Sequence, residues 1–508
     1  MNGPHAPEDA VQAPELTPIT RVRKAGTSAP VTLPAYDRSA LTVGMAHIGV
    51  GNFHRVHQAT YLEELLHLRN DQASWGILGI ELLEDRLATH RAHAFVAQDN
   101  LYSFTSFSPD GEQRSRVNAS MVRYLWAPRD PVAVVQALTD PALKIVTLTV
   151  TEGGYNLDEH TGEFDLANAD ISADLRRANP RTTFGILTAA LKARREAGTA
   201  PFTIASCDNL RSNGHTARTA TVGYAAANDP ALAQWISGNV AFPNSMVDRI
   251  APTVDDALTG RINRITGIAD AVPVVSESFR QWVVEDRFPT GRPAWEDLGV
   301  ELRDDVAAFE AIKGRLINAS HMLMSYPSAL LGYEYVAQAA GDPLIAELLT
   351  YFMAEDAGPL LRAPEGVSLE DYQRMIVPRF ANPNVADTVL RVAHDGGAKL
   401  PIFHRATAEG LLKAGKDLRR EALLLATFRG YMGGKDENGA AFSVEEPHLR
   451  DEDWTLLRSS DPLQALRSSP FAAWGLSESV AFTEAYLAAV TTLESLGVGA
   501  AVRQALGR

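Results

Sequence analysis

A strand, glycine turn and helix near the start of the chain is the feature that most limits the possible folds. The run 41–49, LTVGMAHIG, is short, apolar and closed by glycine, and the segment RVHQATYLEELLHLRN behind it carries apolar residues at helical spacing. Further strand-like runs lie at 75–80, 142–150 and 201–206, with a helix-like segment, TTFGILTAALKARREAG, between the last two. Strands that alternate with helices predict an α/β fold with a mostly parallel sheet.

The pattern of the sequence changes near residue 304. From there on, long segments with helical spacing dominate, such as VAAFEAIKGRLINASHMLMSY and RREALLLATFRGYM. A chain of 508 residues exceeds a single domain of about 100 to 250 residues. We therefore expect a flexible tail at 1–33, a Rossmann-type dinucleotide-binding domain at 34–300 and a mainly α-helical substrate and catalytic domain at 301–508. The expected tail has no apolar segment of the kind found in signal peptides or anchors.

Composition excludes several classes of partner. The formal net charge of -15 disfavours nucleic acids and anionic membranes, and no run of about 18 apolar residues could span a bilayer. Cys207 is the only cysteine, which excludes an intramolecular disulfide and a cysteine-based zinc site and fits a reducing, cytoplasmic compartment. We expect a small-molecule substrate and no metal.

The glycine turn has the pattern G-x-G-x-x-H, with a histidine where a dinucleotide fingerprint has its third glycine. The first glycine permits the tight turn, the second lets a pyrophosphate approach the backbone, and the next helix presents free N–H groups. The arginine at the end of the turn could add a phosphate contact. The candidate cofactor-binding residues are Gly49, Gly51, Asn52, Phe53, His54 and Arg55. The alternative is a plain βα turn.

An acidic pair follows the second strand-like run, where NAD-binding domains place a carboxylate that bonds the ribose 2′-hydroxyl and repels a 2′-phosphate. Glu84 and Asp85 stand at this point and favour NAD. Arg86 beside them could accommodate a 2′-phosphate, so NADP remains an alternative. The three residues could equally be a solvated surface cluster.

The stretch KGRLINASH places Lys313, Asn318 and His321 within one broad face of an α-helix, since His321 lies about 80° and Asn318 about 140° round from Lys313. Such a set suits alcohol oxidation, in which a base removes the hydroxyl proton and amides stabilise the oxygen. Burial would bring the lysine towards neutrality. Glu310 could relay the proton or simply pair with the lysine. Spacing alone favours a surface lysine with a hydrogen-bonded Asn and His.

A second donor is expected beyond the run 201–206, because residues at the carboxyl end of a parallel strand line the ligand crevice. Asn209 and Asn213 are the candidates, and the segment 151–155 has an equivalent position after its own strand. The alternative is that Asn213, followed by glycine, only forms a turn.

Several short motifs occur in a specific order along the chain: GVGNFHRVHQ, TEGGYN, SCDN with a following NG, FPNSMVDRI, K-x-x-x-x-N-x-x-H and GGKDENG. Together they resemble the polyol-specific long-chain dehydrogenases/reductases, most closely the members that act on mannitol. The resemblance implies a two-domain enzyme with its active site between the domains, no catalytic metal and a monomeric state.

The resemblance also implies roles. It makes Lys313 the general base, Asn209 and Asn318 the oxyanion donors, His321 a guide for the substrate hydroxyl and Glu310 part of a proton path to solvent. It makes Asp248 a ligand of a substrate hydroxyl, Arg391 and Lys399 substrate contacts, and Glu84 with Asp85 the pair that favours NAD. The N-terminal extension lies outside the resemblance.

The expected reaction is the metal-independent, NAD-dependent oxidation of D-mannitol to D-fructose and its reverse. Alternatives within the family are a dehydrogenase of D-arabinitol or D-sorbitol and a hexuronate reductase, for which Arg391 and Lys399 could bind a carboxylate. A non-catalytic NAD-binding sensor is a different class, disfavoured by the retained base and donors.

Overall fold

The computed structural model describes residues 16–22, 30–158 and 161–508. Its strands, numbered along the chain, are β1 (Thr17–Pro18), β2 (Val31–Thr32), β3 (Val43–Ile48), β4 (Gly76–Glu81), β5 (Tyr102–Phe107), β6 (Gln113–Asn118), β7 (Met121–Trp126), β8 (Ile145–Leu148), β9 (Thr203–Ser206), β10 (Ser245–Asp248), β11 (Ile268–Ala269), β12 (Val274–Glu277), β13 (Gln281–Val284) and β14 (Glu301–Leu302).

The helices of the first domain are α1 (Asn52–Val56), α2 (Gln58–Leu68), α3 (Arg86–Ala97), α4 (Pro131–Leu138), α5 (Ala169–Asp174), α6 (Thr183–Glu196), α7 (Asn213–Asn228), α8 (Pro230–Asn239) and α9 (Asp256–Thr266). Those of the second domain are α10 (Val306–Ile312), α11 (Ala319–Leu330), α12 (Val336–Gly341), α13 (Pro343–Tyr351), α14 (Leu369–Phe380), α15 (Val389–Ala393), α16 (Gly396–Phe403), α17 (Arg405–Ala414), α18 (Arg419–Tyr431), α19 (Asp451–Leu457), α20 (Ser469–Ala472), α21 (Val480–Leu496) and α22 (Val498–Ala505).

The core of the first domain is a five-stranded sheet in the order β7-β4-β3-β8-β9, in which every pair is parallel. The inner strands are apolar and almost wholly buried, as expected where helices cover both faces. The four strand-like runs of the sequence form β3, β4, β8 and β9, so the predicted α/β class with a mostly parallel sheet is confirmed.

Besides the two-stranded sheet of β1 and β11, two smaller sheets extend this domain and were not anticipated from the sequence. One has the order β12-β5-β6-β2 and contains the antiparallel pair β5 and β6, and the other has the order β10-β13-β14. Because β14 pairs with β13, residues 301–302 belong to the first domain. The expected boundary after residue 300 therefore moves to a point just before α10.

Part of the expected N-terminal tail is folded. Strand β1 pairs with β11, and β2 pairs with β6. Ile19 and Val22 are buried beside Val117 and Ile268 in a small apolar cluster. The prediction of a flexible tail is therefore wrong for residues 16–22 and 30–33, because their apolar side chains find a place on the first domain. Residues 1–15 and 23–29 lie outside the described residues.

The second domain is mainly helical, as predicted. Helix α11 lies at its centre and packs against α15 and α18, and α18 in turn packs against α21. Two short π-helical segments, Lys313–Asn318 and Phe352–Ala357, follow α10 and α13 without a break. In the part of the chain that the structure describes, no helix is long and apolar enough to cross a membrane.

Candidate active site

The segment Lys313–Asn318 is a π-helix between α10 and α11, which corrects the α-helical geometry assumed for it. The Ala319 N–H donates to the Gly314 carbonyl five residues earlier, where an α-helix would use the residue four back. The angles calculated at 100° per residue do not apply here. Instead, Lys313 and Asn318 lie one π turn apart on the same side of the helix.

Four of the predicted catalytic residues meet at one cleft with a cavity volume of about 40 Å³. Asn209, Glu310, Lys313 and Asn318 line it. Its other walls come from the end of β9, from β10 and from the end of α16. The cleft thus lies between the first domain and the helical domain, at the carboxyl end of β9, as the ligand crevice of an open α/β sheet does.

Lys313 is buried in this cleft, with 9% of its surface exposed. Its Nζ donates to the Asn209 Oδ1 at 2.6 Å and to the Val247 carbonyl at 2.7 Å. Burial lowers the pKa of Lys313 below its ordinary value of 10.5, and the charge of Arg379 adds to this while Asp248 opposes it. A neutral amine has two N–H groups, both used here, and a lone pair left to accept a proton.

The two predicted amide donors keep their N–H groups available. Because the lysine Nζ donates, the Asn209 atom facing it is the oxygen, and its Nδ2 points elsewhere. Within the described ranges, neither the Asn209 Nδ2 nor the side chain of Asn318 has a hydrogen-bond partner. Both amides therefore lie beside the lysine with donors free for a ligand oxygen.

Glu310 lies on the same cleft, one helical turn before Lys313. Its two carboxylate oxygens accept from the Ser212 N–H at 3.1 and 3.2 Å. Burial raises its pKa, although the Ser212 bond and the charges of Arg211 and Lys313 oppose this effect. A carboxyl group with a raised pKa, half-buried at the cleft, can exchange protons with both lysine and solvent.

His321 does not line this cleft but stacks on Phe380, with ring centroids 3.7 Å apart. Burial lowers its pKa to about 3, so the imidazole is neutral. Its Nε2 is buried and has no hydrogen-bond partner. An unpaired buried ring nitrogen is costly unless a ligand contacts it, which is consistent with a role in holding a substrate hydroxyl.

The sequence analysis missed the cation that holds Asp248. Arg379, on α14, grips the Asp248 carboxylate with two bonds of 2.8 and 3.0 Å and the Glu277 carboxylate with two of 2.7 and 2.9 Å. All three are buried. Burial opposes ionisation of Asp248, but Arg379 outweighs it and holds the pKa of Asp248 below its ordinary value.

A signal for Arg379 was present in the sequence. The buried residues of α14 are Tyr372, Ile376, Arg379 and Phe380, which follow the spacing of an apolar helix face. An arginine on such a face needs a buried anion, so its position pointed to a charged partner.

Arg391 and Lys399 lie apart from the cleft wall. Arg391 is bound to Asp387 by two bonds of 2.5 Å, and its side chain is 51% exposed. Lys399 donates to the His394 carbonyl at 2.5 Å, and burial lowers its pKa. Neither residue lines the cleft around Lys313. Among the described residues, no group of three or more His, Cys, Asp and Glu could hold a metal ion.

The glycine turn after β3 has the geometry that a dinucleotide requires. Gly49 has a φ of +91°, and a Cβ there would lie 2.1 Å from the Thr149 carbonyl oxygen, so only glycine fits. At Gly51 the nearest atom to such a Cβ would be the Gly49 oxygen at 3.9 Å, so the backbone there is open to a ligand. The residues present therefore fit the cofactor that the sequence pattern implies.

Arg55 does not face a phosphate, contrary to our expectation. Its buried guanidinium donates to the Val272 carbonyl, the Asn52 Oδ1 and the Gly51 carbonyl at 2.5, 2.7 and 3.2 Å. The arginine therefore stabilises the turn from the protein interior. The Asn52 Nδ2 is also used, since it donates to the Pro252 carbonyl at 2.9 Å.

The other two candidates of this turn pack against neighbouring rings. His54 is buried and stacks on His47 at 3.5 Å, and Phe53 stacks on His57 at 5.0 Å. Both ring nitrogens of His54 are nevertheless buried without a hydrogen-bond partner among the described residues, while the turn presents open backbone at Gly51.

The acidic pair lies at the start of α3. Asp85 is the N-cap, and its Oδ1 accepts from the Leu87 and Ala88 N–H groups at 2.7 and 2.9 Å. Glu84 is exposed. Glu81, at the end of β4, is buried and paired with Arg91 at 2.7 Å. Asp85 and Glu84 are therefore the carboxylates that reach solvent beyond the second strand of the sheet.

The remaining strand-end candidates have structural roles. Asn213 is buried, and its amide bonds to the Ser245 backbone and to the Asp208 carbonyl, so it does not face the cleft. Asp208 accepts from the Val150 and Thr151 N–H groups at 3.1 and 2.9 Å. This contact ties the end of β8 to the end of β9 and fixes the loop that carries Asn209.

Two family models match almost the whole folded chain. Residues 43–297 match the mannitol dehydrogenase Rossmann domain, and residues 305–494 match the mannitol dehydrogenase C-terminal domain. The chain belongs to the mannitol dehydrogenase family. This family membership makes it an enzyme of the polyol dehydrogenase class, as the motifs had indicated.

Curated relatives of this mannitol dehydrogenase family span nearly the same length. The chain is 43% identical to the mannitol 2-dehydrogenase of Cereibacter sphaeroides, over 90% of this chain and 92% of the relative. It is 41% identical to the polyol:NADP oxidoreductase of Gluconobacter oxydans (strain 621H), over 95% of this chain and 99% of the relative.

Solved structures agree on the fold. A D-sorbitol dehydrogenase in substrate-free form is 39% identical with a TM-score of 0.87 and covers 96% of this chain and 100% of its own. The Pseudomonas fluorescens mannitol 2-dehydrogenase, in a ternary complex with NAD and D-mannitol, is 35% identical with a TM-score of 0.87. That match covers 97% of this chain and 99% of the other.

Proposed function

We propose that this enzyme oxidises a polyol at a secondary alcohol, D-mannitol to D-fructose and the reverse, with a nicotinamide dinucleotide and without a metal. The observation that carries the proposal is the buried Lys313, whose Nζ lies 2.6 Å from the Asn209 Oδ1 in a cleft that also contains Asn318. This combination supplies a base and two amide donors at one point.

Lys313 is the proposed general base. Its lowered pKa increases the fraction of neutral amine at physiological pH, and its two N–H groups are already bonded to Asn209 and Val247. The lone pair is then free to take the proton of the substrate hydroxyl. Glu310, beside it on the cleft, passes this proton to solvent.

Asn209 and Asn318 are the proposed oxyanion donors. As the hydroxyl loses its proton, the substrate oxygen gains negative charge, and preorganised neutral N–H donors stabilise it without adding a positive charge that would repel the protonated lysine. The bond from Lys313 fixes Asn209 with its amide nitrogen outward. His321 and Asp248 are proposed to hold other hydroxyl groups of the substrate. Arg391 and Lys399, which lie outside the cleft wall, are proposed as further substrate contacts.

The cofactor is proposed to lie along the glycine turn, with Gly49 and Gly51 against the pyrophosphate and Glu84 and Asp85 at the adenosine ribose. A nicotinamide dinucleotide, when bound, supplies the hydride acceptor. We propose NAD because two carboxylates would repel a 2′-phosphate, and because a related structure is a complex with NAD. NADP is the alternative, since another relative is named as an NADP oxidoreductase.

D-Mannitol is the proposed substrate because several relatives are mannitol 2-dehydrogenases. D-Sorbitol is a second candidate, supported by the related D-sorbitol dehydrogenase structure. A monomer is the proposed working unit.

The test is a panel of D-mannitol, D-sorbitol, D-arabinitol and D-mannonate, or the matching ketoses, with NAD(H) and NADP(H), in the presence and absence of chelator. Lys313→Met should lower kcat on the order of 10²- to 10⁴-fold while NADH binding, followed by fluorescence quenching, is retained. The exposed Lys413→Met is the matched control. Wild-type turnover in Lys313→Met, or activity abolished by chelator, would refute the mechanism.

A further inference from the structure

A second pocket lies in the first domain, away from the proposed active site. Its cavity volume is about 410 Å³, and its walls come from α2, from the β5 and β6 hairpin and from residues next to β10 and β12. None of its residues lines the cleft around Lys313 or belongs to the glycine turn. We call it the basic pocket, and its charged residues are Arg114, Arg116, Arg249, Arg280, Glu64 and Glu112.

The basic pocket carries unbalanced positive charge in a protein whose net charge is -15. Four arginines face two glutamates, which leaves a surplus of two positive charges. Glu64 is shared, because one of its oxygens binds Arg116 at 2.6 Å and the other binds Arg280 at 2.5 Å. Two guanidinium groups therefore divide a single carboxylate between them.

Within the described residues, no carboxylate is bonded to the guanidinium of Arg249. Its guanidinium is almost wholly buried and donates only to the carbonyls of Val56 and Glu277. Three of its five N–H groups make these bonds, so two remain. Burial and the nearby charge of Arg280 lower its pKa to about 9. The charges of Glu277 and Glu64 oppose this shift without outweighing it.

Aromatic rings hold the two central arginines in place. Arg249 lies over Phe104 at 4.8 Å and Arg280 over Tyr61 at 4.1 Å, measured from Cζ to the ring centroid. Such stacking orders the guanidinium planes before a ligand arrives, which reduces the entropy lost on binding. Planar guanidinium groups match the oxygens of a phosphate in two-point contacts.

We propose that the basic pocket binds a phosphomonoester, with Arg116, Arg249 and Arg280 as its ligands. The surplus of two positive charges matches a phosphate monoester, which carries about -1.5 to -2 at pH 7. The pocket is also large enough for an organic group attached to the phosphate, since ligand pockets run from about 300 to 1,000 Å³. Free phosphate shares the same chemistry.

Two residues connect the basic pocket to the charged cluster of Asp248, Glu277 and Arg379. Arg249 follows Asp248 directly and donates to the Glu277 carbonyl, while the side chains of Asp248 and Glu277 both hold Arg379. An anion bound at Arg249 would therefore add negative charge close to the cluster of Asp248, Glu277 and Arg379, which lies next to the cleft.

The test is isothermal titration calorimetry on the whole protein with inorganic phosphate and, separately, glucose 6-phosphate, with and without saturating NAD. We expect a dissociation constant below about 1 mM for at least one compound, unchanged by NAD. Tighter binding of the ester would show that the pocket also accepts the organic part, and equal binding would show that phosphate alone is recognised.

Arg116→Gln and Arg280→Gln separate this site from the cofactor site. Each should weaken binding by about tenfold or more, because each removes a charge-assisted contact. Arg405→Gln, whose half-buried arginine pairs with Glu409 in the second domain, should bind as the wild type does. Dissociation constants above about 1 mM for both compounds, or unchanged binding in both pocket variants, would overturn the proposal.

Discussion

Lys313 is buried, and the negative charges near it only partly offset the cost of burying its ammonium form. Its Nζ is held by two neutral oxygens, from Asn209 and Val247, rather than by a carboxylate. A carboxylate in direct contact would stabilise the ammonium and spoil the base. Asp248 is close enough to raise the pKa of Lys313, but its own charge is largely taken up by Arg379. The pKa of Lys313 therefore stays below its ordinary value, which favours the neutral amine.

The pH dependence of oxidation follows from this arrangement. Only the neutral amine accepts a proton, so kcat/KM for polyol oxidation should rise about tenfold per pH unit below the pKa of Lys313 and then level off, with the opposite trend for ketose reduction. The midpoint should lie below 10.5, because burial lowers that pKa. Steady-state rates from pH 5 to 11 check this.

Asp248→Asn provides a second pH test. Removing this carboxylate takes away a charge that raises the pKa of Lys313, so the rise in oxidation should shift to lower pH. A profile identical to that of the wild type would contradict the link between Asp248 and Lys313. Binding of NADH should be unchanged, because Asp248 is not part of the glycine turn.

Cofactor choice can be tested at Asp85 without losing the helix cap. Serine caps a helix about as well as aspartate but carries no charge, so Asp85→Ser should retain the bonds to Leu87 and Ala88. We expect the kcat/KM ratio of NAD to NADP to fall by about tenfold, as one repulsive charge at the 2′-phosphate is worth roughly 1.4 kcal/mol. Melting temperature should stay near that of the wild type, and an unchanged cofactor ratio would refute the role of Asp85.

At the scale of elements, the first strand, glycine turn and helix could be predicted because each depends on neighbouring residues alone. The backbone at residue 49 has a φ of +91°, which glycine adopts without strain, and this glycine is visible in the sequence. The π-helix at Lys313–Asn318 could not be predicted, because one residue more per turn leaves the apolar pattern nearly unchanged. The structural role of Arg55 could not be predicted either, because its partner Val272 lies far along the chain.

The glycine turn yields a prediction with an internal control. Gly49→Ala would place a Cβ 2.1 Å from the Thr149 oxygen at a positive φ, so we expect a loss of about 2–4 kcal/mol in the free energy of unfolding. Gly51→Ala has room for the methyl group and should fold normally but bind NADH more weakly. Urea denaturation and NADH titration distinguish the two. Equal stability of both variants would contradict the proposed packing of the turn.

Across the whole molecule, Arg379 joins the two domains through charge. It stands on α14 of the helical domain, whereas Asp248 and Glu277 end strands of the first domain. Arg379→Met keeps the volume but leaves two buried carboxylates without a cation, and we expect it to cost about 3–5 kcal/mol of stability near pH 8. Arg374→Met, on the exposed face of the same helix, is the control.

The stability cost of Arg379→Met should depend on pH. In the wild type, the lowered pKa of Asp248 gives stability that is present above its unfolded pKa and lost as the pH falls. In Arg379→Met, the unpaired carboxylates would have raised pKa values, so acid would relieve their cost. The stability difference between the two proteins should therefore shrink between pH 8 and pH 5 in urea denaturation, and a constant difference would exclude this account.

Arg379 also bears on how substrate enters and leaves. Swinging the helical domain away from the first domain would break four hydrogen bonds of one guanidinium at once and leave two carboxylates to be rehydrated. A large hinge opening on every turnover would therefore be slow. We expect the polyol and ketose to enter and leave through the mouth of the cleft while Arg379 keeps the two domains in contact.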